Sequence, residues 1–243
     1  MIWKILLAAV VLVVFLGVDA QALTVTTAAG SGADTFLSND GQGGDYGPDS
    51  LHGTQEGFEV RTAWDVRMKI GYIRFDLSGI SGDMSGATLG LYLTWGKRDR
   101  TLSVYGLTNE SLDNWDETII SYNNAPGMVA NPPTPLAQYA INADLTKVAD
   151  LPVTTAVGLH ESNVSALIDA FLADNTNDVV TFAVIYETTS GDTNPDWWFA
   201  TKESAAADPL LIAPTLTLPN AIPEPATLAL LGLGSAVLLR RRK

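Results

Sequence analysis

A chain of 243 residues with 27 acidic and 14 basic side chains, a formal charge of −13, lacks the concentrated basic surface that nucleic-acid binding needs. It has no cysteine, which excludes a disulfide framework and a thiolate zinc centre, and only two histidines, His52 and His160, far apart in sequence. At this length a core can form without covalent staples.

Lys4 precedes an apolar run from Ile5 to Val18, and Ala20-Gln21-Ala22 has the small-x-small cleavage pattern, so residues 1–22 read as a secretory signal peptide. Leu23 to Ala29 is expected to form a first strand and Ala33 to Leu37 a second. Ser38 to Ser50 is a loop with four Gly, one Pro and three Asp. Arg61, Trp64, Arg67 and Lys69 form a local basic island. From Lys69 to Leu93 two alternating runs follow. Ile73, Phe75 and Leu77 share one face against Tyr72, Arg74 and Asp76, and Leu89, Leu91 and Leu93 alternate with Thr88, Tyr92 and Thr94. Period two predicts strands with one face to a core and the other to water or a second partner. The charged turn at Gly96 to Arg100 leads into a strand over Thr101 to Leu107. Asn114 to Pro126 is expected to mix a short strand with a turn, and Leu136 to Ile141 to form another short strand. Ser162 to Ala173 has helical spacing, with Ser162 as N-cap. Val179 to Tyr186 is nearly continuously apolar, as a buried central strand requires. Trp197 and Trp198 are adjacent, so one belongs to a core and the other to a surface. Leu210 to Leu218 closes the β set, with Pro214 forcing a bulge or an unpaired edge.

At the C-terminus, Pro223-Glu224-Pro225 leads into an uncharged, mostly apolar run, Ala226 to Leu239, and then Arg240, Arg241, Arg242 and Lys243. Fourteen residues at about 1.5 Å each are short for a hydrocarbon core of about 30 Å, so the run suits transient residence better than a permanent anchor. The last 21 residues resemble the PEP-CTERM signal in motif, apolar span and basic end. That resemblance implies a Gram-negative-type bacterium that makes extracellular polysaccharide, passage through the inner membrane, and processing by an exosortase-type enzyme. The organisation expected is a signal peptide at 1–22, one β domain at 23–219 and a sorting signal at 220–243 with a short membrane segment at 226–239. Without residues 1–22 and 223–243, nine basic residues face 25 acidic ones, a balance of −16.

Several motifs in order resemble the DNRLRE-domain family of carbohydrate-binding modules. They are Ala33-Asp34-Thr35, Asp45-Tyr46-Gly47, Ile73-Arg74-Phe75-Asp76-Leu77-Ser78, Ala87-Thr88-Leu89 with Leu91-Tyr92, Val104-Tyr105, Trp115 with Glu117-Thr118, Tyr122 to Pro126, Phe199 to Glu203 and Pro209-Leu210-Leu211. The resemblance covers about 33–218. It implies an all-β jelly-roll sandwich, here carrying one short helix in an insertion at roughly 132–177. It also implies an extracellular, non-catalytic module that binds polysaccharide, sometimes an acidic one.

For glycan binding, Arg61, Trp64, Arg67, Lys69, Arg74 and Arg98 offer cations for carboxylates and a ring for a sugar face; mutual pairing with the abundant carboxylates is the plainer use of the charges. For a structural Ca2+, Asp34, Asn39 and Asp45 supply oxygens on or beside a flexible loop, joined by Asp208 if the first and last strands pair. Asp116 and Glu117 are neighbours that would point apart on a strand, so Glu117 is expected to tie down a loop rather than to cleave a glycosidic bond. An exported, surface-sorted polysaccharide binder is the leading expectation. A structural matrix or appendage protein without sugar specificity, and a polysaccharide-active enzyme, are the alternatives.

Overall fold

The computed structural model describes residues 22–40, 45–63, 67–130, 141–165, 177–187 and 195–223. Among them the strands are β1 (Leu23–Thr26), β2 (Ala33–Asp40), β3 (Gly57–Ala63), β4 (Arg67–Asp76), β5 (Ile80–Asp83), β6 (Thr88–Gly96), β7 (Arg100–Leu107), β8 (Leu145–Val153), β9 (Gly158–Asn163), β10 (Val179–Ile185), β11 (Asp196–Ala200), β12 (Thr215–Leu218) and β13 (Asn220–Pro223). One short helix, α1 (Lys202–Ala207), follows β11. The pairings are antiparallel, and the fold is the all-β jelly-roll sandwich expected.

One layer runs β2-β4-β10-β7-β8. In the other, β6 has β9 on one edge and β11 and β12 on the opposite edge, with β3 beyond β11 and β1 beyond β12. The layers join at β4, whose residues 67–69 pair with β3 while residues 71–76 pair with β10. Gly71 stands at this switch because a Cβ there would meet the Phe58 ring at 2.6 Å.

Alternation along β4 and β10 serves two cores. Ile73 and Phe75 of β4 and Val180, Phe182 and Val184 of β10 pack between the layers. Ile70 and Tyr72, with Ala183 and Ile185, face a second cluster, closed by Trp115, Ile120, Tyr122 and Met128 from the 109–130 segment. That explains why Val179 to Tyr186 reads as continuously apolar: both faces of β10 are buried. Each large side chain so buried contributes about 1.5–3 kcal/mol.

The insertion differs from expectation. It adds two strands, β8 and β9. In β8 the register against β7 skips Val148, so Leu145 reaches the second core while Leu151 and Val153 reach the first; this bulge hides the strand from a simple period-two reading. Ser162 is not an N-cap. It lies in β9, where its hydroxyl donates to the Asp150 carbonyl, and Asn163 instead accepts from the Ser165 amide. Residues 166–173 of the expected helix lie outside the described residues, as do the signal peptide through residue 21, most of the 136–141 strand, and the tail from Glu224. Asn114 to Pro126 contains turns rather than a strand, because the Ile119 and Ile120 amides both fold back onto the Asp116 carbonyl. After Pro214 the closing strand spans only Thr215–Leu218, and the chain turns into β13, which pairs with β5 and buries Ala221. The folded chain therefore reaches Pro223, past the expected boundary at 219. Among the described residues no helix is long and apolar enough to cross a membrane.

Candidate functional site

Cross-strand partners share a face, so register alone builds a site on the outside of β6, β11 and β3. One row is Trp95, Trp198 and Glu59; the next is Asp196, Arg61, Lys69 and Ser38. Trp95 owes its place to a bulge. Trp198 pairs with Trp95 but Phe199 pairs with Leu93, so β6 skips Thr94, whose hydroxyl donates to the Trp198 carbonyl at 3.0 Å. Strict alternation would send Trp95 inward behind Leu93. The skipped residue turns it outward beside Trp198 and leaves it 48% exposed. Trp197, by contrast, is fully buried and donates its indole N–H to the Arg98 carbonyl at 2.8 Å.

The 45–52 segment adds a third ring. Ser38 Oγ donates to the Tyr46 carbonyl at 2.6 Å, and the Tyr46 ring lies over Lys69 Nζ at 3.9 Å. Phe36 and Trp198 rings also flank that ammonium, at 5.3 and 5.9 Å. His52 stacks on Phe36 at 4.0 Å, and burial, with the nearby Lys69 charge, lowers its pKa to about 4, so the imidazole is neutral at ordinary pH. Beneath the rings Lys69 pairs with the buried Glu59, and Arg61 lies 3.5 Å from Glu59 and 3.9 Å from Asp196. Burial, then the Glu59 charge, raises the Asp196 pKa. The result is a row of rings on an internally neutralised floor: flat apolar faces with oxygen acceptors at their margin.

The sequence pattern of carbohydrate-binding module family 96 matches residues 25–215, most of the chain. The protein belongs to carbohydrate-binding module family 96. A PEP-CTERM protein-sorting motif matches residues 221–243, and it marks an exported protein of a Gram-negative-type bacterium handled by an exosortase. No curated protein matches the chain.

Within this family 96 module the expected cationic set is divided. Arg61 and Lys69 stand on one row, but as ion-paired floor; Lys69 is only 5% exposed. Arg98 lies in the turn beside that row, since the neighbouring Lys97 amide bonds the Asp196 carbonyl. Arg74 is elsewhere, on the second-core side of β4. Its guanidinium donates to the Ser31, Asp113 and Trp115 carbonyls and lies 5.0 Å from the Trp115 ring centroid. It forms one wall of an open cleft of ≈ 460 Å³ lined also by Gly32, Asn114, Asp116 and Glu117. Trp64 lies outside the described residues, and for Arg67 only the backbone, in β4, is described.

The oxygen set expected to share Ca2+ is not gathered. Asp34 and Asn39 fall on opposite faces of β2. The Asp34 carboxylate is 1% exposed and accepts the Lys202 amide at the start of α1, whereas Asp208 is exposed at the end of α1 and accepts the Leu210 amide. Asp45 lies on the exposed loop before Tyr46. Among the described residues no group of three or more acidic or histidine side chains converges. Glu117 ties down a loop as expected: both its oxygens accept from Lys202 Nζ at 2.6 Å, and one also accepts the Asp34 amide. Sequence reasoning missed Trp95, Tyr46, Glu59 and Asp196 as one site. Trp95 beside the Gly96 turn was the available signal, but its direction depends on a bulge that the sequence does not announce.

Proposed function

We propose that this protein is an exported, non-catalytic polysaccharide-binding module whose Trp95–Trp198–Tyr46 face receives sugar rings, and that its sorting motif delivers it to the cell surface or extracellular matrix. The observation that carries this reading is the β6 bulge, which exposes a tryptophan beside a second one where regular pairing would have buried it. Pyranose rings present C–H faces that stack on aromatic rings, and hydroxyls at the ring edge donate to carboxylates. Asp196 Oδ1 is buried without a partner among the described residues and lies on the row beside these rings. Arg61 and Lys69 support this face from below, and Arg98 flanks it. The signal peptide at 1–22 and removal of the tail after an inner-membrane pause complete the export route.

Affinity electrophoresis of the exported protein through gels containing neutral and acidic polysaccharides tests the reading. Retardation by at least one polymer, lost in Trp95→Ala at unchanged melting temperature, is the expected result. Equal mobility in every gel would remove carbohydrate binding, and retardation indifferent to Trp95 would move it to another face.

A further inference from the structure

The ribbon β5–β13 joins the folded module to its own sorting motif. Asn220, Ala221, Ile222 and Pro223 pair antiparallel with Asp83, Gly82, Ser81 and Ile80. The sorting motif begins at residue 221, so its first three residues, including the first proline of Pro223-Glu224-Pro225, are already a strand of the folded domain. Only Glu224 and Pro225 separate that strand from the apolar run beginning at Ala226. From Pro223 to Ala226 an extended chain reaches about 10 Å. A headgroup layer takes roughly 5–7 Å of that distance on each side of the bilayer. A processing enzyme that needs several extended residues in its cleft has no room between the sandwich and the membrane while β13 stays paired.

The ribbon is also built to open. It is a separate two-stranded sheet, outside the main one, and two-stranded ribbons are marginal alone. Ala221 is the side chain it is seen to bury, whereas β12 closes the main sheet through Leu216 and Leu218 without it. Asn220 adds an amide contact to the Ser85 carbonyl at 3.3 Å. Releasing β13 withdraws Ala221 from the core, while the β1–β12–β6 pairings of the main sheet do not depend on it.

We propose that β5 is a latch on the sorting motif: β13 must peel from β5 before the sorting enzyme can remove the tail, so the enzyme's partner is the strand-released form of the module and not its resting fold. This rests on the tail being processed, and not on the glycan face.

The test uses the absence of native cysteine. Ser81→Cys with Ile222→Cys places two thiols on directly opposed residues, within the spacing a disulfide accepts. In the native host, tail loss followed by intact mass after a pulse is expected to be about tenfold slower or more in the oxidised double variant, because only the opened population is processed. Added reductant should restore the wild-type rate, which shows that the disulfide and not the two substitutions slows processing. A second variant, with a flexible Gly-Ser segment inserted between Pro223 and Glu224, should be processed rapidly even with the disulfide closed, because the enzyme then has chain to hold. Wild-type processing speed in the oxidised variant would overturn the latch. Slow processing of the oxidised variant that the inserted segment fails to relieve would overturn it too, since the lock would then act otherwise than by withholding chain. A wild-type surface form that keeps its tail would instead overturn tail processing itself, a different failure.

Discussion

The outer faces of the two layers have opposite fates. Over β4 and β10 the 109–130 segment lies down and makes a second core, in which Trp115 donates its indole N–H to Thr181 at 3.0 Å and packs against Tyr72 at 5.1 Å. Over β6 and β11 Trp95 is left open and Trp198 only partly covered. Both faces have tryptophan, tyrosine and arginine. The difference lies in what the polar groups do: Arg74 uses its N–H groups on backbone carbonyls that hold the covering segment down, whereas among the described residues Arg61 and Lys69 meet carboxylates within the sheet. An aromatic face becomes a core where it has backbone to hold, and a platform where its charges are satisfied in place.

Exchanging tryptophans is the sharpest way to break that comparison. Trp197→Ala or Trp115→Ala empties a packed site and should cost about 3–5 kcal/mol by urea denaturation. Trp95→Ala should change stability by about 0.5 kcal/mol or less and weaken polysaccharide retention about tenfold. If Trp95→Ala were as destabilising as Trp197→Ala, the open face would be structural and the contrast would collapse.

Next in size is the floor. Glu59→Gln leaves the Lys69 ammonium buried beneath Tyr46, Phe36 and Trp198 without its carboxylate, a loss of about 3 kcal/mol. The paired change Glu59→Gln with Lys69→Met should recover most of the loss, because no charge then remains unpaired. A single variant as stable as the wild type would mean that water reaches the pair and that the floor is not sealed.

How much of this was legible follows from the same physics. Strand β10 showed itself because both its faces are apolar, and β4 because Ile73 and Phe75 alternate with Tyr72 and Arg74. β8 and the direction of Trp95 did not, since each depends on a single skipped residue, Val148 or Thr94, that reverses parity midway. Arg61 and Lys69 were legible as basic. Glu59, the partner of Lys69, is close by in sequence, whereas Asp196, which lies 3.9 Å from Arg61, is far away and arrives only through the β3–β11 pairing. Asp34 reads as a candidate metal ligand because an acidic residue beside a Gly-rich loop has the same composition whether it binds a cation or accepts a helix amide, and its contact with the Lys202 amide is legible only in the fold.

A smaller effect is expected from pH. Burial raises Asp34 and Asp113 from 3.8 to about 7. Between roughly pH 4 and 7 the folded chain therefore binds more protons than the unfolded chain. This contribution is complete below the unfolded pKa and disappears as pH rises through about 7. His52, lowered from 6.5 to about 4, acts in the opposite sense below pH 6.5, but it is one group against two, or three with Asp196. The melting temperature should rise by about 3–6 °C from pH 8 to pH 5.5. Asp113→Asn should flatten the rise; a maximum at pH 8 would show these carboxyls ionised in the fold.

Calcium is expected to have the least effect, and the reason separates the two ends of β2. At the first end, Asp34 is fully engaged: both oxygens accept the Lys202 amide at 3.2 Å, and Glu117 and Lys202 close over it. A cation entering there would have to displace the start of α1 and the Lys202 ammonium. At the other end, Asn39 is buried on the opposite face, too far for shared coordination at about 2.3–2.6 Å per ligand. Asp208, the remaining partner, sits at the far end of α1, about 9 Å along the helix. EDTA, or calcium in the millimolar range, should therefore shift the melting midpoint by about 1 °C or less. A larger rise that survives Asp34→Asn would assign the ion to the 40–49 loop, where Asp45 and Asp49 are exposed, and would make that loop, which carries Tyr46 over Lys69, a calcium-set part of the glycan face.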